Sequence, residues 1–272
     1  MSDRDVMTGS IVVRGAELAY EWGGVGPDVV WGHGLTSSMA GEQAAGLVSW
    51  PRVREANRVL RYDARGHGSS ASTSDRHGYA WSALAQDQLA MADALGIESY
   101  VAGGASMGCA TALHAAVQAP QRVRALVLLI PPTGWESRAG QAELYESMAA
   151  IVERDGVEPL IAASAQLPPA DPFVGLADLA EQQADALRAW DAGRLAQVFR
   201  GATTAQLPDR EQIARLTQPT LVLAWTGDAT HPVATADELG GLLPHAEVEV
   251  VSDLGAVLAW SQRVQAFLAD VG

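Results

Sequence analysis

The chain has 272 residues, of which 48% are hydrophobic and 18% are charged, a composition typical of a globular protein. Its 18 basic residues are all arginines and are outnumbered by 32 acidic residues. The resulting formal net charge of −14 at pH 7 argues against nucleic acid and anionic membrane surfaces as partners. Because the sequence contains no lysine, mechanisms that need a Schiff-base or phosphate-binding lysine are excluded.

The single cysteine, Cys109, excludes an intrachain disulfide and a multi-cysteine metal site. Residues 1–10 are polar and charged, unlike a signal peptide, and the longest apolar runs fall far short of the roughly 20 residues that a membrane helix needs. We therefore expect a cytoplasmic protein that has no membrane partner. The sequence also predicts no metal and no cofactor, and it leaves open whether the chain forms a homodimer.

Strand and helix patterns alternate along the chain, which predicts an α/β fold with a mostly parallel sheet flanked by helices. Strands are predicted at 11–13, 17–22, 28–31, 58–62, 99–102, 125–130, 220–225 and 247–251, and helices at about 80–95, 107–119, 233–243 and 257–269. Only helical patterns occur between 131 and 216, most clearly at 141–154 and 176–192. We therefore predict a core of residues 1–130 and 217–272 with an inserted helical cap of residues 131–216.

The pentapeptide Gly104-Ala105-Ser106-Met107-Gly108 lies between an apolar strand and a helix. This is the context in which G-x-S-x-G forms a sharp turn that exposes a nucleophilic serine. Glycines are expected on both sides because side chains there would collide with the neighbouring strand and helix. The alternative is an ordinary Gly/Ser-rich turn at a helix N-cap, which the position between strand and helix disfavours.

These features resemble the α/β-hydrolase superfamily over nearly the whole chain, least in the cap. His33-Gly34-Leu35 is similar to its oxyanion loop, residues 63–70 are similar to its D-x-R-G-x-G-x-S turn, and residues 220–228 are similar to the strand that delivers its acidic residue. The resemblance implies that Ser106 is the nucleophile and that the backbone N–H groups of Met107 and Leu35 form the oxyanion hole. Small esterases and enol-lactonases have the most similar cap.

The superfamily's histidine follows the last strand, usually in a Gly-His pair, but this chain has Gly255-Ala256 there. A serine hydroxyl needs a base to take its proton, so another histidine must be sought. Five of the six histidines are unsuitable. His33 and His67 belong to loop motifs, His77 to an unrelated polar loop and His245 to the opposite sheet edge, whereas His114 lies about 12 Å along the helix from Ser106.

His231 remains, three residues after Asp228 on the loop that leaves the carboxyl edge of its strand. Histidine exchanges a proton near neutral pH, so we predict that His231 is the general base. Asp228 is the candidate to orient it, although three residues on one turn give little room for good geometry, and Asp253 is the alternative. The competing interpretation is that His231 only packs beside Pro232 and that the chain lacks a working base.

We predict a serine hydrolase that cleaves a small-molecule carboxylic ester or lactone through an acyl-enzyme on Ser106. Gly34, Trp135, Tyr145 and Met148 are the candidate substrate-binding residues, although aromatic residues in a helical cap more often pack. Two alternatives stay open at this point. One is a lyase or cyclase on the same fold, and the other is a catalytically silent binding protein.

Overall fold

All strands of the computed structural model, which describes residues 6–176 and 178–272, belong to one sheet. The strands are β1 (Met7–Val13), β2 (Ala16–Gly24), β3 (Asp28–Gly32), β4 (Arg58–Tyr62), β5 (Tyr100–Ala105), β6 (Val123–Leu129), β7 (Thr220–Trp225) and β8 (Ala246–Val251). Their order across the sheet is β1-β2-β4-β3-β5-β6-β7-β8. The pairs β1–β2 and β2–β4 are antiparallel and all others are parallel, which confirms the predicted mostly parallel sheet.

Helices cover both faces of the sheet and fill the interval between β6 and β7. They are α1 (Met39–Ala45), α2 (Trp50–Val53), α3 (Trp81–Ala94), α4 (Met107–Gln118), α5 (Arg138–Asp155), α6 (Glu158–Ser164), α7 (Leu179–Arg188), α8 (Ala192–Ala202), α9 (Arg210–Ile213), α10 (Val233–Leu242) and α11 (Leu254–Val271). None of the helices in the described chain is long and apolar enough to cross a membrane.

The central strands are apolar on both faces because each face has its own core. Along β6, Leu126 and Leu128 pack into the cluster that includes Trp81 of α3, whereas Val127 and Leu129 pack into the cluster that includes Trp260 of α11. Side chains alternate between the two faces of a strand, so a strand covered on both sides must be apolar throughout. The structure thus confirms the buried strand predicted at 125–130, although the strand spans Val123–Leu129 and Ile130 lies beyond its end.

Several helix and strand bounds differ from the predicted ones. β1 begins at Met7 rather than at residue 11, since its first residues are exposed and show no apolar alternation. The predicted helix at 176–192 is wrong at both ends. α7 ends at Arg188, and Asp191 then caps a separate helix, α8, by accepting from the Arg194 amide at 2.9 Å. Helix α1 was not predicted, because none of its residues is buried.

Helices α5 to α9 lie between β6 and β7, where the sequence predicts a cap. Their own apolar cluster joins α5, α6 and α8 through side chains such as Tyr145, Leu160 and Phe199. Leu35, on the loop after β3, packs against this cluster and against the sheet core as well. The cap helices therefore contact the loop after β3 directly, while the predicted boundaries at 130/131 and 216/217 stay a prediction.

Candidate active site

Ser106 occupies a strained turn between β5 and α4. Its backbone has φ +52° and ψ −110°, a conformation that residues other than glycine rarely adopt. Its amide donates to the Leu129 carbonyl at 2.9 Å. Such strain persists only where the surrounding structure imposes it. The turn carries Ser106 to the carboxyl edge of the parallel strands, where ligands bind in open α/β sheets.

The glycines around Ser106 are required by the close approach of β3 to the turn. A methyl group on Gly108 would lie 2.0 Å from the Gly32 carbonyl oxygen, and one on Gly104 would lie 2.4 Å from the same atom. Any larger residue would therefore push β3 away from α4. The spacing of the G-x-S-x-G motif follows from this contact.

The structure brings Ser106, His231 and Asp228 together in one hydrogen-bonded series. Nε2 of His231 lies 2.8 Å from Oγ of Ser106, and Nδ1 of His231 lies 2.7 Å from Oδ2 of Asp228. A carboxylate hydrogen-bonded to Nδ1 of an imidazole leaves Nε2 able to accept a proton from a serine hydroxyl. The arrangement is therefore chemically able to generate a serine nucleophile.

The Asp228 carboxylate receives four donors. Oδ1 accepts the amides of Thr230 at 2.9 Å and His231 at 3.2 Å, while Oδ2 accepts Nε1–H of Trp225 at 3.0 Å in addition to the His231 ring. Burial alone would raise the pKa of Asp228, but the hydrogen bond and charge of His231, with the Trp225 and Thr230 donors, lower it well below its usual range. Asp228 is thus held as an anion beside the ring.

The Leu35 amide is held in position by contacts to the peptide that contains it. The Gly34 carbonyl accepts from Nδ1 of His33 at 2.7 Å and from the Ser37 amide at 3.1 Å, while Nε2 of His33 accepts the Ala64 amide at 2.9 Å. Burial lowers the pKa of His33 to about 4, so the ring is neutral and can both donate and accept. Because a peptide carbonyl and N–H point in opposite directions, this contact turns the Leu35 N–H away from His33.

Two backbone amides are available beside Ser106. A methyl group on Gly34 would lie 3.8 Å from Cβ of Ser106, which places the Gly34–Leu35 peptide next to the hydroxyl. Met107 is the first residue of α4, so its N–H has no carbonyl one turn earlier in the helix. Among the backbone hydrogen bonds that the described residues make in turns, loops and caps, none has the Leu35 or the Met107 amide as its donor.

Comparison with known proteins assigns the chain to a protein family. The family model described as alpha/beta hydrolase fold matches residues 33–261. The chain belongs to the alpha/beta hydrolase fold family. It is 26% identical over 216 residues to 3-oxoadipate enol-lactonase 2 of Acinetobacter baylyi, an alignment that covers 77% of this chain and 78% of that relative.

Two solved structures of this family have the same fold as the chain. A hydrolase from Pseudomonas aeruginosa superimposes with a TM-score of 0.78 at 25% identity, covering 97% of both chains. The enol-lactonase from Burkholderia xenovorans gives a TM-score of 0.81 at 24% identity and covers 96% of this chain and all of its own. The likeness therefore extends over the whole sheet and the cap helices.

The site departs from the alpha/beta hydrolase pattern after the last strand. Asp253 ends the short loop there and caps α11 by accepting from the Ala256 amide at 3.0 Å, and Ala256 packs against the apolar cluster of Trp225 and Trp260. The carboxylate that contacts His231 is that of Asp228, not Asp253. Helix α11 begins at Leu254, so position 256 lies in its first turn rather than on a free loop.

The other histidines lie elsewhere in the fold. Nε2 of His67 contacts the Leu35 carbonyl at 2.6 Å, and Nε2 of His114 contacts the Gln206 carbonyl at 2.8 Å. The exposed His77 donates its backbone amide to the Asp75 carboxylate, which caps that turn, and the His245 carbonyl accepts from the Thr220 amide at the start of β7. Among the described residues, no group of three His, Cys, Asp or Glu side chains is placed to hold a metal ion.

The predicted substrate-binding residues occupy different surroundings. Gly34 lies beside Ser106, as described above. The Trp135 indole donates to the Pro208 carbonyl at 3.1 Å, Tyr145 stacks on Phe199 with ring centroids 5.8 Å apart, and Met148 packs against the cap cluster. Their contact with substrate stays a prediction.

Sequence reasoning missed Trp225, the last residue of β7. Its indole donates to Asp228, stacks on Trp260 at 5.4 Å and meets the edge of Phe173 at 4.9 Å. The available signal was a tryptophan three positions before the acidic residue, at the carboxyl end of a strand. Trp225 links the Asp228 carboxylate to the apolar core beneath it.

Proposed function

We propose that this chain is a serine hydrolase that cleaves a carboxylic ester or lactone. Ser106 acts as nucleophile, His231 as general base and acid, and Asp228 as the group that orients the ring. The distance of 2.8 Å between His231 Nε2 and Ser106 Oγ carries the proposal, since it puts a base within proton-transfer reach of a strained, partly exposed serine. Similarity to an enol-lactonase over three quarters of the chain supports the acyl-transfer class.

In the first half-reaction, Oγ of Ser106 bonds to the acyl carbon while its proton passes to Nε2 of His231. The negative charge that develops on the carbonyl oxygen is stabilised by the N–H groups of Leu35 and Met107 and by the positive end of α4. His231 then returns the proton to the leaving oxygen as the bond between that oxygen and the acyl carbon breaks. The product is an acyl-enzyme and a free alcohol, or a single ring-opened acyl-enzyme for a lactone.

In the second half-reaction, water replaces the alcohol. His231 takes a proton from water as the hydroxide oxygen bonds to the acyl carbon, and the same proton is delivered to Oγ of Ser106 when the acyl–serine bond breaks. The carboxylic acid leaves and the resting arrangement returns. The Asp228 carboxylate stays ionised and stabilises the imidazolium in both steps.

The test combines p-nitrophenyl acetate turnover with labelling by a fluorophosphonate probe. The wild-type protein should hydrolyse the ester and carry the label on Ser106, and Ser106→Ala should lose both while keeping its unfolding midpoint. A protein that neither turns over the ester nor takes the label would favour the silent binding protein. Labelling of Ser106 without hydrolysis of any ester or lactone would favour the lyase or cyclase.

A further inference from the structure

A cleft with a volume of about 480 Å³ lies between the cap and the end of β7. Its walls come from α6, α7 and the segment that joins them, and its floor comes from Trp225 and the loop 227–230. This volume is within the range of pockets that hold small organic ligands. The cleft is distinct from the surroundings of Trp135, Tyr145 and Met148, none of which lines it.

The lining of the cleft is mostly apolar, with Ser164, Gln183 and Thr230 as its uncharged polar side chains. Side chains such as Ile161, Leu167, Phe173, Leu179 and Leu187 form most of it. Leu167 and Leu176, which are 69% and 42% exposed, contribute apolar surface that an occupant of the cleft would cover. The walls therefore favour an apolar occupant.

Among the described residues that line the cleft none is a cation, and the exposed Asp171 carboxylate lies beside Gly227 on its floor. Among the described residues that line it, Asp228 is the charged one, and its two carboxylate oxygens already receive the four donors described above. A carboxylate can accept about four hydrogen bonds, so Asp228 has no capacity left for a cation. An anionic ligand group placed here would lose its hydration without gaining a partner.

The cleft borders the loop that carries His231. Asp228, Ala229 and Thr230 line it, and this same loop carries His231. One imidazole ring and two hydrogen bonds therefore separate the lining carboxylate from Oγ of Ser106. Ser106 and His231 are not among the lining residues, so the part of an ester substrate that reaches the cleft is its distal part.

We infer that this cleft binds the uncharged hydrocarbon chain of an ester substrate, so that the protein prefers neutral, medium-chain esters over short or carboxylate-bearing ones. The inference rests on the proposed function, because it places one part of the substrate relative to Ser106. The chain belongs either to the acyl group or to the alcohol, and these two sources share the same chemistry.

Two substitutions on α7 distinguish the effect of filling the cleft from the effect of changing the helix that forms its wall. Ala180 lines the cleft and Ala186, on the same helix, does not, although both residues are exposed. Ala180→Trp should fill the cleft, and Ala186→Trp is the matched control. Each variant is assayed with p-nitrophenyl acetate, p-nitrophenyl octanoate and octyl acetate. The wild type is also compared on p-nitrophenyl heptanoate and the p-nitrophenyl monoester of adipic acid.

The wild type should hydrolyse the octanoate with a kcat/KM at least tenfold above that of the acetate and should discriminate at least tenfold against the adipate monoester. Ala180→Trp should lower kcat/KM for the octanoate at least tenfold while acetate hydrolysis stays within twofold, and Ala186→Trp should change neither. If octyl acetate is impaired instead of the octanoate, the cleft holds the alcohol chain, and the inference stands.

Equal effects of Ala180→Trp on long and short esters, or no effect on either long ester, would overturn the assignment. So would efficient hydrolysis of the adipate monoester. Ala180→Asp provides a second variant that adds charge with little volume, and it should impair the long-chain ester as well. Failure of the cleft assignment is distinguishable from failure of the proposed function, because the latter would remove p-nitrophenyl acetate hydrolysis and fluorophosphonate labelling from the wild type.

Discussion

Nδ1 of His231 lies 2.7 Å from Oδ2 of Asp228, although the two residues are only three positions apart on one loop. The turn that makes this contact is built by the other carboxylate oxygen, Oδ1, which accepts the amides of Thr230 and His231 and folds the chain back over the side chain. Gly227, with φ +79°, sets the direction of the loop as it leaves β7. Acid and imidazole are thereby delivered to Ser106 by a single strand end.

We predict that His231→Ala lowers kcat for p-nitrophenyl acetate by about a thousandfold or more, because removing one member of a proton-relay unit disables the unit. The exposed His77 provides the control, since its backbone amide makes the local contact and His77→Ala should leave kcat unchanged. Ala256→His in the His231→Ala background should not restore activity, because position 256 packs into an apolar cluster on a helix. Near-normal turnover of His231→Ala together with strong activation by Ala256→His would place the base at position 256 instead.

The sequence predicted those parts of the fold that depend on local pattern. The strand predicted at 125–130 was recognisable because both of its faces are apolar. The Ser106 turn was recognisable because contact with β3 requires glycines at fixed positions, and this leaves a motif in the sequence. Helix α1 could not be recognised in this way, since it buries no residue.

The finer geometry of the site depends on contacts that no local pattern encodes. The approach of His231 to Ser106 spans 125 positions and requires the sheet to bring β5 and β7 to one edge. The cleft beside Trp225 requires α6 and α7 to pack over the end of β7, and the sequence pattern shows only that these segments are helical. The role of His231 stays a prediction until its variants are assayed.

Gly108→Ala should destabilise the protein by about 2–4 kcal/mol, because the added methyl group would lie 2.0 Å from the Gly32 carbonyl and force β3 and α4 apart. Gly140→Ala is the matched control. Gly140 is in α5, where the methyl group would meet open space among the described residues, and the substitution should stabilise the helix by up to about 1 kcal/mol. Urea unfolding of both variants measures the difference. Equal stability of the two variants would contradict the proposed packing requirement.

Glu42→Gln should remove a pH-dependent loss of stability. The Glu42 carboxylate accepts Nε1–H of Trp31 at 2.8 Å and lies against Leu47 and Val48. The side chain of Glu42 is only partly exposed, and loss of hydration of its carboxyl raises the pKa of Glu42 to about 8, while nearby Arg61 and the Trp31 hydrogen bond act in the opposite direction. Between about pH 4.5 and pH 8 the unfolded chain ionises this carboxyl while the folded chain keeps it protonated, so folding becomes less favourable as pH rises.

The glutamine amide keeps an acceptor for Trp31 and cannot ionise. The variant should therefore resemble wild type at pH 4 and exceed its free energy of unfolding by about 2–4 kcal/mol at pH 8.5. Urea unfolding at both values measures this, with the exposed Glu55→Gln as control. A stability difference that does not change with pH would contradict the role assigned to the Glu42 carboxyl.

Trp225→Phe should weaken catalysis through Asp228 without removing the aromatic packing. Nε1–H of Trp225 donates at 3.0 Å to Oδ2 of Asp228, the oxygen that also accepts from His231. Loss of a hydrogen bond to a charged group costs about 1.5–3 kcal/mol, so kcat for p-nitrophenyl acetate should fall by about 10- to 100-fold with little change in KM. The acid limb of the pH–rate profile should move to higher pH, because a carboxylate with one donor fewer attracts the imidazolium more strongly.

Trp260→Phe is the control for this variant. Trp260 stacks on Trp225 at 5.4 Å, but its own indole N–H has no hydrogen-bond partner within the described residues, so its replacement removes comparable ring area and no contact to Asp228. Both variants should lose stability, and only Trp225→Phe should move the pH–rate profile. Identical profiles for the two variants would mean that Trp225 contributes packing alone, and a larger shift for Trp260→Phe would contradict the link from Trp225 through Asp228 to His231.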